Sequence, residues 1–127
     1  MEKIDRFILI ALSLPLLGLG LASMFNAESL LPKWGLLVTD ANGLSTVRSI
    51  IGGLLVGSAL QILVGFYNSN TTWLLASAML MAVVIVGRLI GLFLDGFHSA
   101  IVGPTIYEII VLALAVRYHY TYKFRFE

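Results

Sequence analysis

The sequence predicts an all-α protein that forms a bundle of four transmembrane helices. Of its 127 residues, 59% are hydrophobic and 12% are charged, and the charged share is half of the about 25% that is usual for a soluble domain. The apolar residues are gathered in long windows, and about 20 such residues are needed to cross a hydrocarbon core roughly 30 Å thick. Too little polar surface remains to face water on every side, so we expect one integral membrane domain over residues 1–127.

Four windows meet this length requirement, and they cover residues 7–25, 49–67, about 73–94 and about 104–120. The first two windows contain no charged side chain, whereas the third contains Arg88 and the fourth contains Glu108. The fourth helix is expected to begin at about Pro104, because Gly103-Pro104 suits a helix boundary, and Ala100 is the alternative start.

The positions of lysine and arginine predict how the helices are oriented. With four spans, both termini lie on the same side of the membrane, and that side carries Lys3, Arg6, Arg117, Lys123 and Arg125. The opposite side carries only Lys33 and Arg48. Because cytoplasmic segments are enriched in lysine and arginine, we expect the N terminus and the C terminus in the cytoplasm.

Composition and motifs argue against several classes of function. Eight basic and seven acidic residues nearly cancel and form no basic block, so we expect no nucleic-acid partner. The chain has no cysteine, no phosphate-binding loop and no hydrolase motif. His98 and His119 are predicted on opposite sides of the membrane and do not share a haem, and Asp95 with His98 and Glu108 is a weak metal pattern. We assign no cofactor, no metal site and no catalytic residue.

Four ionisable residues are predicted in the non-cytoplasmic half of the bundle. Arg48 opens the second helix, Asp95 ends the third, and Arg88 lies about 10 Å deeper than Asp95. Glu108 lies about 6–12 Å into the fourth helix. A charge at the centre of a membrane helix costs about 2.5–3.5 kcal/mol, so we expect Arg88 to pair with Glu108. Nearer the surface we expect Arg48 to pair with Asp95, and an Arg88–Asp95 pair is the alternative.

This polar network has two interpretations that the sequence does not separate. In the first, the ion pairs only fix the register of the helices. In the second, they line a cavity that is open to the outer leaflet and that binds a lipid headgroup, a quinone carbonyl or a small zwitterion. Ionisable residues inside a membrane favour the functional interpretation without proving it.

Small residues recur at four-residue intervals on the second and third helices. The second helix carries Gly53, Gly57, Gln61 and Gly65, and the third carries Gly87 and Gly91. Small residues at this spacing let helix backbones approach closely, so we expect the glycines to pack against neighbouring helices. The alternative is a groove for an acyl or isoprenoid chain, with Gln61 as a hydrogen-bonding group.

Two stretches carry a resemblance to a known family. Residues 87–99 read GRLIGLFLDGFHS and are followed by Tyr107-Glu108, and residues 42–53 read NGLSTVRSIIGG. They resemble the GR…DG…E pattern of a bacterial family of small four-helix membrane proteins, which is classed as a domain of unknown function and is distantly similar to the DoxX-like group. The resemblance covers roughly residues 7–120, with Phe97-His98 where the family usually has a proline.

The resemblance implies a multi-pass protein of a bacterial inner (plasma) membrane, and it implies no reaction. When the family pattern is carried over to this sequence, it falls on Arg48, Gly87, Arg88, Asp95, Gly96 and Glu108.

Three functions are open at this point. The favoured one is a non-enzymatic protein that binds a lipid or lipophilic small molecule, or that supports a membrane complex with a membrane-protein partner or a second copy of itself. The second is a membrane enzyme that acts on a quinone, sterol-like or lipid substrate, with Glu108 or Asp95 as acid and base. The third, a proton or ion pathway, is disfavoured because Gln61 is the only strong polar group predicted in the cytoplasmic half.

Overall fold

The computed structural model describes residues 1–123, and the regular structure of this part is entirely helical. Its α-helices are α1 (Glu2–Phe25), α2 (Ala27–Leu30), α3 (Ala41–Thr46), α4 (Gly53–Tyr67), α5 (Thr72–Asp95) and α6 (Val102–Tyr122). Short 3-10 turns cover Leu31–Trp34 and Ser99–Ile101, and a π-helical turn, Val47–Gly52, joins α3 to α4. The predicted all-α class is confirmed.

Four continuous helical segments are long and apolar enough to cross a membrane, and they are Glu2–Phe25, Ala41–Tyr67, Thr72–Asp95 and Ser99–Tyr122. They form a ring in which α1 packs against α4, α4 against α5, α5 against α6, and α6 against α1. Successive spans run in opposite directions. We call the end that holds residue 1, the α4–α5 turn and Tyr122 the terminal end, and the end that holds residues 26–46 and 96–101 the loop end.

Three helices begin earlier than the hydropathy windows predict. The first begins at Glu2, and the last begins at Val102, where Pro104 lies in the first turn and its missing N–H leaves no helical hydrogen bond unmade. The second begins at Ala41, because the Asp40 carboxylate accepts a hydrogen bond from the Gly43 N–H at 2.7 Å and caps the helix. The first residues of this helix are largely polar, so the apolar window begins later than the helix does.

The aromatic and basic segment at the C terminus is only partly described. Its first part, through Tyr122, continues α6 as a helix and is therefore not the extended segment that alternation with a period of two would indicate. Phe124, Arg125 and Phe126 lie outside the described residues.

The main hydrophobic core lies in the half of the bundle near the terminal end. Its buried members come from all four spans and are Leu9, Ile62, Phe66, Leu74, Ala78, Met81, Val111, Ala115, Tyr118 and Tyr122. The Phe66 and Tyr118 rings meet edge to face with centroids 5.1 Å apart, a favoured aromatic geometry. The four spans are thus joined firmly near the terminal end.

A second apolar cluster covers part of the loop end. Ala27, Leu31 and Val47 are buried there, and Val38, Leu44 and Ile51 pack around them. The connection after α1 therefore folds back over the ends of α1 and α4. Its next turn is turned outward, since Leu37 is 92% exposed.

The glycines that let helices approach are mostly not those that the spacing predicts. A Cβ atom on Gly53, Gly57 or Gly87 would meet nothing within 4 Å, and one on Gly91 would meet only Asp95 of the same helix. Of the predicted set, only Gly65 lies against another element, the start of α5. A four-residue repeat turns by about 40° per step around an α-helix, so the stripe winds away from the contact face.

Two other glycines make the closest approach between helices. A Cβ atom on Gly20 of α1 would lie 2.8 Å from the Val56 backbone nitrogen, and one on Gly52 would lie 3.2 Å from the Gly20 carbonyl oxygen. The backbones of α1 and α4 therefore touch here without intervening side chains.

We predict that Gly20→Ala lowers the free energy of unfolding by about 1–3 kcal/mol, because the new methyl group meets the backbone nitrogen of Val56 as well as its side chain, and the backbone cannot move aside easily. The matched control is Gly57→Ala, which adds the same methyl group in open space and should change stability by less than about 0.5 kcal/mol. Unfolding of both variants in mixed micelles measures the difference, and equal midpoints would contradict the assignment of the α1–α4 contact.

Candidate functional site

Arg88 of α5 and Glu108 of α6 form a two-pronged ion pair. The Arg88 Nε donates to Glu108 Oε2 at 2.8 Å, and Nη2 donates to Oε1 at 2.7 Å, the side-on geometry that a planar guanidinium favours. Arg88 is seven residues from the end of α5 and Glu108 six residues from the start of α6, about 9–10 Å from the loop end. The predicted contact between these two residues is present.

The pair is buried unevenly. The Glu108 side chain is 11% exposed, whereas the Arg88 side chain is 30% exposed. A guanidinium carries five N–H donors, and two of them bind Glu108. The other three, on Nη1 and Nη2, have no acceptor among residues 1–123. The site is therefore neutral in charge but still offers hydrogen bonds on its open side.

The ion pair lies where the packed core ends. The last fully buried residue of α5 is Met81, about two turns before Arg88, and Glu108 is the buried residue of α6 nearest the loop end. On either side of Arg88, Gly87 and Gly91 present no side chain. The guanidinium is thus approachable from outside the bundle.

A hydrogen bond beside Glu108 connects α6 to α1. The Tyr107 hydroxyl donates to the backbone carbonyl of Leu12. Pro15 lies inside α1, and because proline has no N–H, the helical hydrogen bond to the Ala11 carbonyl, one residue before Leu12, is not made. Tyr107 therefore holds the turn that carries Glu108 against the turn of α1 that precedes Pro15. Sequence reasoning missed this contact.

The predicted Arg48–Asp95 pair is wrong. Arg48 Nη1 donates to the carbonyl oxygen of Met24, and Nη2 lies 3.9 Å from Glu28 Oε1. Carbonyls in the last turn of a helix lack helical partners and attract cations, so Arg48 binds the end of α1, its nearest neighbour. Asp95 is exposed and forms no ion pair within the described part of the chain, so the alternative Arg88–Asp95 pair is absent as well.

Gln61 does not join the Arg88 site. It lies six residues from the end of α4 at the terminal end, about 9 Å in, whereas Arg88 lies about 24 Å from that end. The Gln61 Oε1 atom is buried and has no partner among the described residues. Of the four ionisable residues predicted to form a network, the structure therefore brings only Arg88 and Glu108 together, and Gln61 lies apart from them.

A second polar cluster at the terminal end was not predicted. Asp5 of α1 is buried, and its Oδ2 accepts hydrogen bonds from Arg117 Nη2 and from the Tyr122 hydroxyl, both at 3.3 Å. Nearby, His119 Nδ1 lies 3.1 Å from Thr71 Oγ1. Asp5 and Arg117 lie at similar depths in α1 and α6, so their positions in the sequence could have predicted this pair.

The polar residues do not gather into a metal centre. Within residues 1–123 no three histidine, cysteine, aspartate or glutamate side chains are close enough to hold a metal ion. Glu108, which the weak metal pattern includes, is engaged by Arg88.

A family model described as a domain of unknown function, DUF4345, matches residues 4–119. The chain belongs to this family. The match covers all four spanning helices and agrees with the resemblance to a family of unknown function that the sequence shows. No curated protein and no solved structure matches the chain. The DUF4345 description names no reaction, ligand or partner.

For this DUF4345 protein we predict that Arg88→Met lowers the free energy of unfolding by about 3 kcal/mol, because Glu108 is left buried without its partner. Glu108→Leu should have a similar effect, and the joint variant Arg88→Met with Glu108→Leu should recover most of the loss. A double-mutant cycle of unfolding in mixed micelles measures the coupling. Purely additive losses would contradict the pairing.

We also predict that Arg48→Met destabilises the protein by about 1.5–3 kcal/mol, because it removes a charged hydrogen-bond donor from the end of α1. Asp95→Asn, on the same side of the bundle, should change the free energy of unfolding by less than about 0.5 kcal/mol. The same unfolding assay compares them. If both variants lost similar amounts of unfolding free energy and the two losses were coupled, Arg48 would pair with Asp95 after all.

Proposed function

We propose that this protein is a non-enzymatic membrane protein that binds a lipid or another lipophilic molecule at the Arg88–Glu108 pair. The observation that carries the proposal is the partly exposed Arg88 guanidinium, which binds Glu108 with two N–H groups and has three without an acceptor among residues 1–123. Donors without acceptors in a low-dielectric layer are costly. A polar group of a bound molecule satisfies them.

The uneven burial favours a binding role over a purely structural one. A buried ion pair is weak evidence for stability, since well-packed apolar side chains of similar size often serve as well. A pair kept only to fix register would also be more stable if its donors were covered. Here the carboxylate is covered and the guanidinium is left partly open, which is the arrangement that recognition requires.

We place the site in the outer half of a bacterial inner membrane. The terminal end carries Lys3, Arg6, Arg117 and Lys123, whereas the loop end carries Lys33 and Arg48. This bias supports a cytoplasmic terminal end. The distant similarity to the DoxX-like group belongs to the same proposal and rests on the GR…DG…E pattern alone. A supporting role in a larger membrane complex is compatible with this site.

The alternative functions fit the geometry less well. An enzyme that uses Glu108 as a base needs that carboxylate free, and it is held by Arg88 through two hydrogen bonds. Asp95, the other candidate acid or base, lies about 10 Å from Arg88 along α5 and is exposed, so it is not part of the Arg88 site. A proton pathway needs a connected line of polar groups between Glu108 and Asp5. The polar side chains buried between those depths include Ser13 and Ser77, whose hydroxyls donate to backbone carbonyls, and Gln61, whose Oε1 has no partner among the described residues. Leu9, Val111 and Ala115 of the apolar core lie among them.

The proposal is tested by identifying what co-purifies with the protein in mild detergent. Native mass spectrometry of the wild type should detect a retained lipid or lipophilic molecule. Arg88→Met with Glu108→Leu, which removes the pair without leaving a lone charge, should reduce its occupancy at least about tenfold, as expected for loss of a charged hydrogen bond. Asp95→Asn removes a charge on the same side and should retain the molecule.

Equal occupancy in the wild type and the joint variant would refute the proposal. Because the joint variant must be folded for this comparison, its unfolding midpoint is measured in the same detergent. Turnover of a lipid or quinone that disappears in Glu108→Gln would instead favour the enzyme.

A further inference from the structure

We propose that the group bound by Arg88 is the carbonyl oxygen of a lipophilic molecule, and not a phosphate or another anion. This inference rests on the proposed function and names the chemistry of its ligand. Two sources share that chemistry, namely the ester carbonyl of a membrane glycerolipid and the ring carbonyl of a quinone.

The charge of the site favours a neutral acceptor. Both carboxylate oxygens of Glu108 lie within 2.8 Å of the guanidinium, so the positive charge of Arg88 is already compensated. An anion that binds the remaining N–H groups is repelled by Glu108 and also has to leave water. A carbonyl oxygen accepts the same hydrogen bonds through its lone pairs and has little solvation to lose.

The two hydroxyl donors on the stretch of α6 beside the pair do not compete for such a ligand. Along the same stretch of α6, the Thr105 hydroxyl donates to the Ile101 carbonyl and the Tyr107 hydroxyl donates to the Leu12 carbonyl. Both hydroxyls are therefore used inside the protein. Arg88 is left as the donor that faces outward.

The depth of Arg88 also suits a carbonyl. The 24 residues of α5 span about 36 Å, so a helix centred on a core of roughly 30 Å extends about 3 Å beyond it on each side. Arg88, about 10 Å below Asp95, then lies about 7 Å inside the hydrocarbon. Headgroup phosphates lie in the layer beyond the core edge, whereas a quinone ring can lie at this level and a lipid ester at the core edge reaches it by sinking about 7 Å along α5.

The surface around Arg88 leaves room for the apolar part of the ligand. Gly87 and Gly91 flank Arg88 on α5, and a Cβ atom at Gly87 would meet nothing within 4 Å. Gly91 is three residues after Arg88 and lies on a neighbouring part of the same face. A chain or ring attached to the bound carbonyl can lie directly on this bare backbone.

The test compares three glycerophospholipids that differ in their carbonyl and headgroup chemistry with a quinone, and variants of the protein assign any preference to Arg88. Lipid-stripped protein is titrated with a diacyl phosphatidylcholine, with its dialkyl ether counterpart, which lacks carbonyls, with dialkyl phosphatidic acid, and with decylubiquinone. Native mass spectrometry reports the apparent affinity for each. We expect at least one carbonyl-bearing probe to bind the wild type about tenfold more tightly than the ether lipid, the usual gain from a hydrogen bond to a charged group.

Matched variants assign that preference to Arg88. The ratio of the affinity for the preferred carbonyl-bearing probe to that for the ether lipid should fall to about one in Arg88→Met with Glu108→Leu. The ratio should stay unchanged in Arg48→Lys and in Asp95→Asn. Preference for the diacyl lipid alone identifies the ester as the source, and preference for decylubiquinone identifies the quinone carbonyl. In Glu108→Gln, where Arg88 is no longer neutralised, dialkyl phosphatidic acid should gain affinity.

Some results would reject only the carbonyl as the ligand, and another would reject the proposed function as well. If dialkyl phosphatidic acid binds the wild type more tightly than both carbonyl-bearing probes, or if all probes bind equally but depend on the Arg88–Glu108 pair, the site stands and its ligand is not a carbonyl. If no probe distinguishes the wild type from the joint variant, the proposed function itself fails.

Discussion

A charge inside a hydrocarbon layer needs a partner, and the loop-end half of this bundle is organised around that constraint. Arg88 meets Glu108 through two hydrogen bonds at a level where α5 has no fully buried side chain. The ion pair therefore joins α5 to α6 where apolar packing is thin. Tyr107, the residue before Glu108, binds the backbone of α1, so one turn of α6 sets the distances to both neighbouring helices.

The two halves of the molecule differ in how they are held together. Near the terminal end, the spans share one apolar core with edge-to-face and tilted aromatic contacts. Toward the loop end, α1 and α4 stay in backbone contact at Gly20 and Gly52, whereas α5 and α6 depend on a polar contact. A segment with few buried apolar contacts has low local stability. The loop-end half around Arg88 can therefore adjust, while the packed core near the terminal end stays fixed.

Hydropathy and charge predicted the fold and the central pair, because both follow from the cost of polar groups in lipid. The windows at 7–25 and 49–67 located the helices, and equal depth paired Arg88 with Glu108. Depth alone cannot tell which neighbouring helix a side chain faces. Arg48 binds the end of α1 and not Asp95 for this reason. In the same way, the four-residue repeat from Gly53 predicts a row of small residues but does not predict which surface that row contacts.

The π-helical turn at Val47–Gly52 bears on how this chain tolerates insertions and deletions. Each N–H in such a turn reaches the carbonyl five residues back, so the turn holds a residue more than an α-helical one. Losing one residue would swing α3 by about 100° around its axis and carry Arg48, near the start of the turn, away from Met24. Gly52, at its other end, would keep its place against α1. The turn thus lies between α3, whose orientation would change, and α4, whose register would not. A change of length here would alter the connection at the loop end and leave the spanning helix in place.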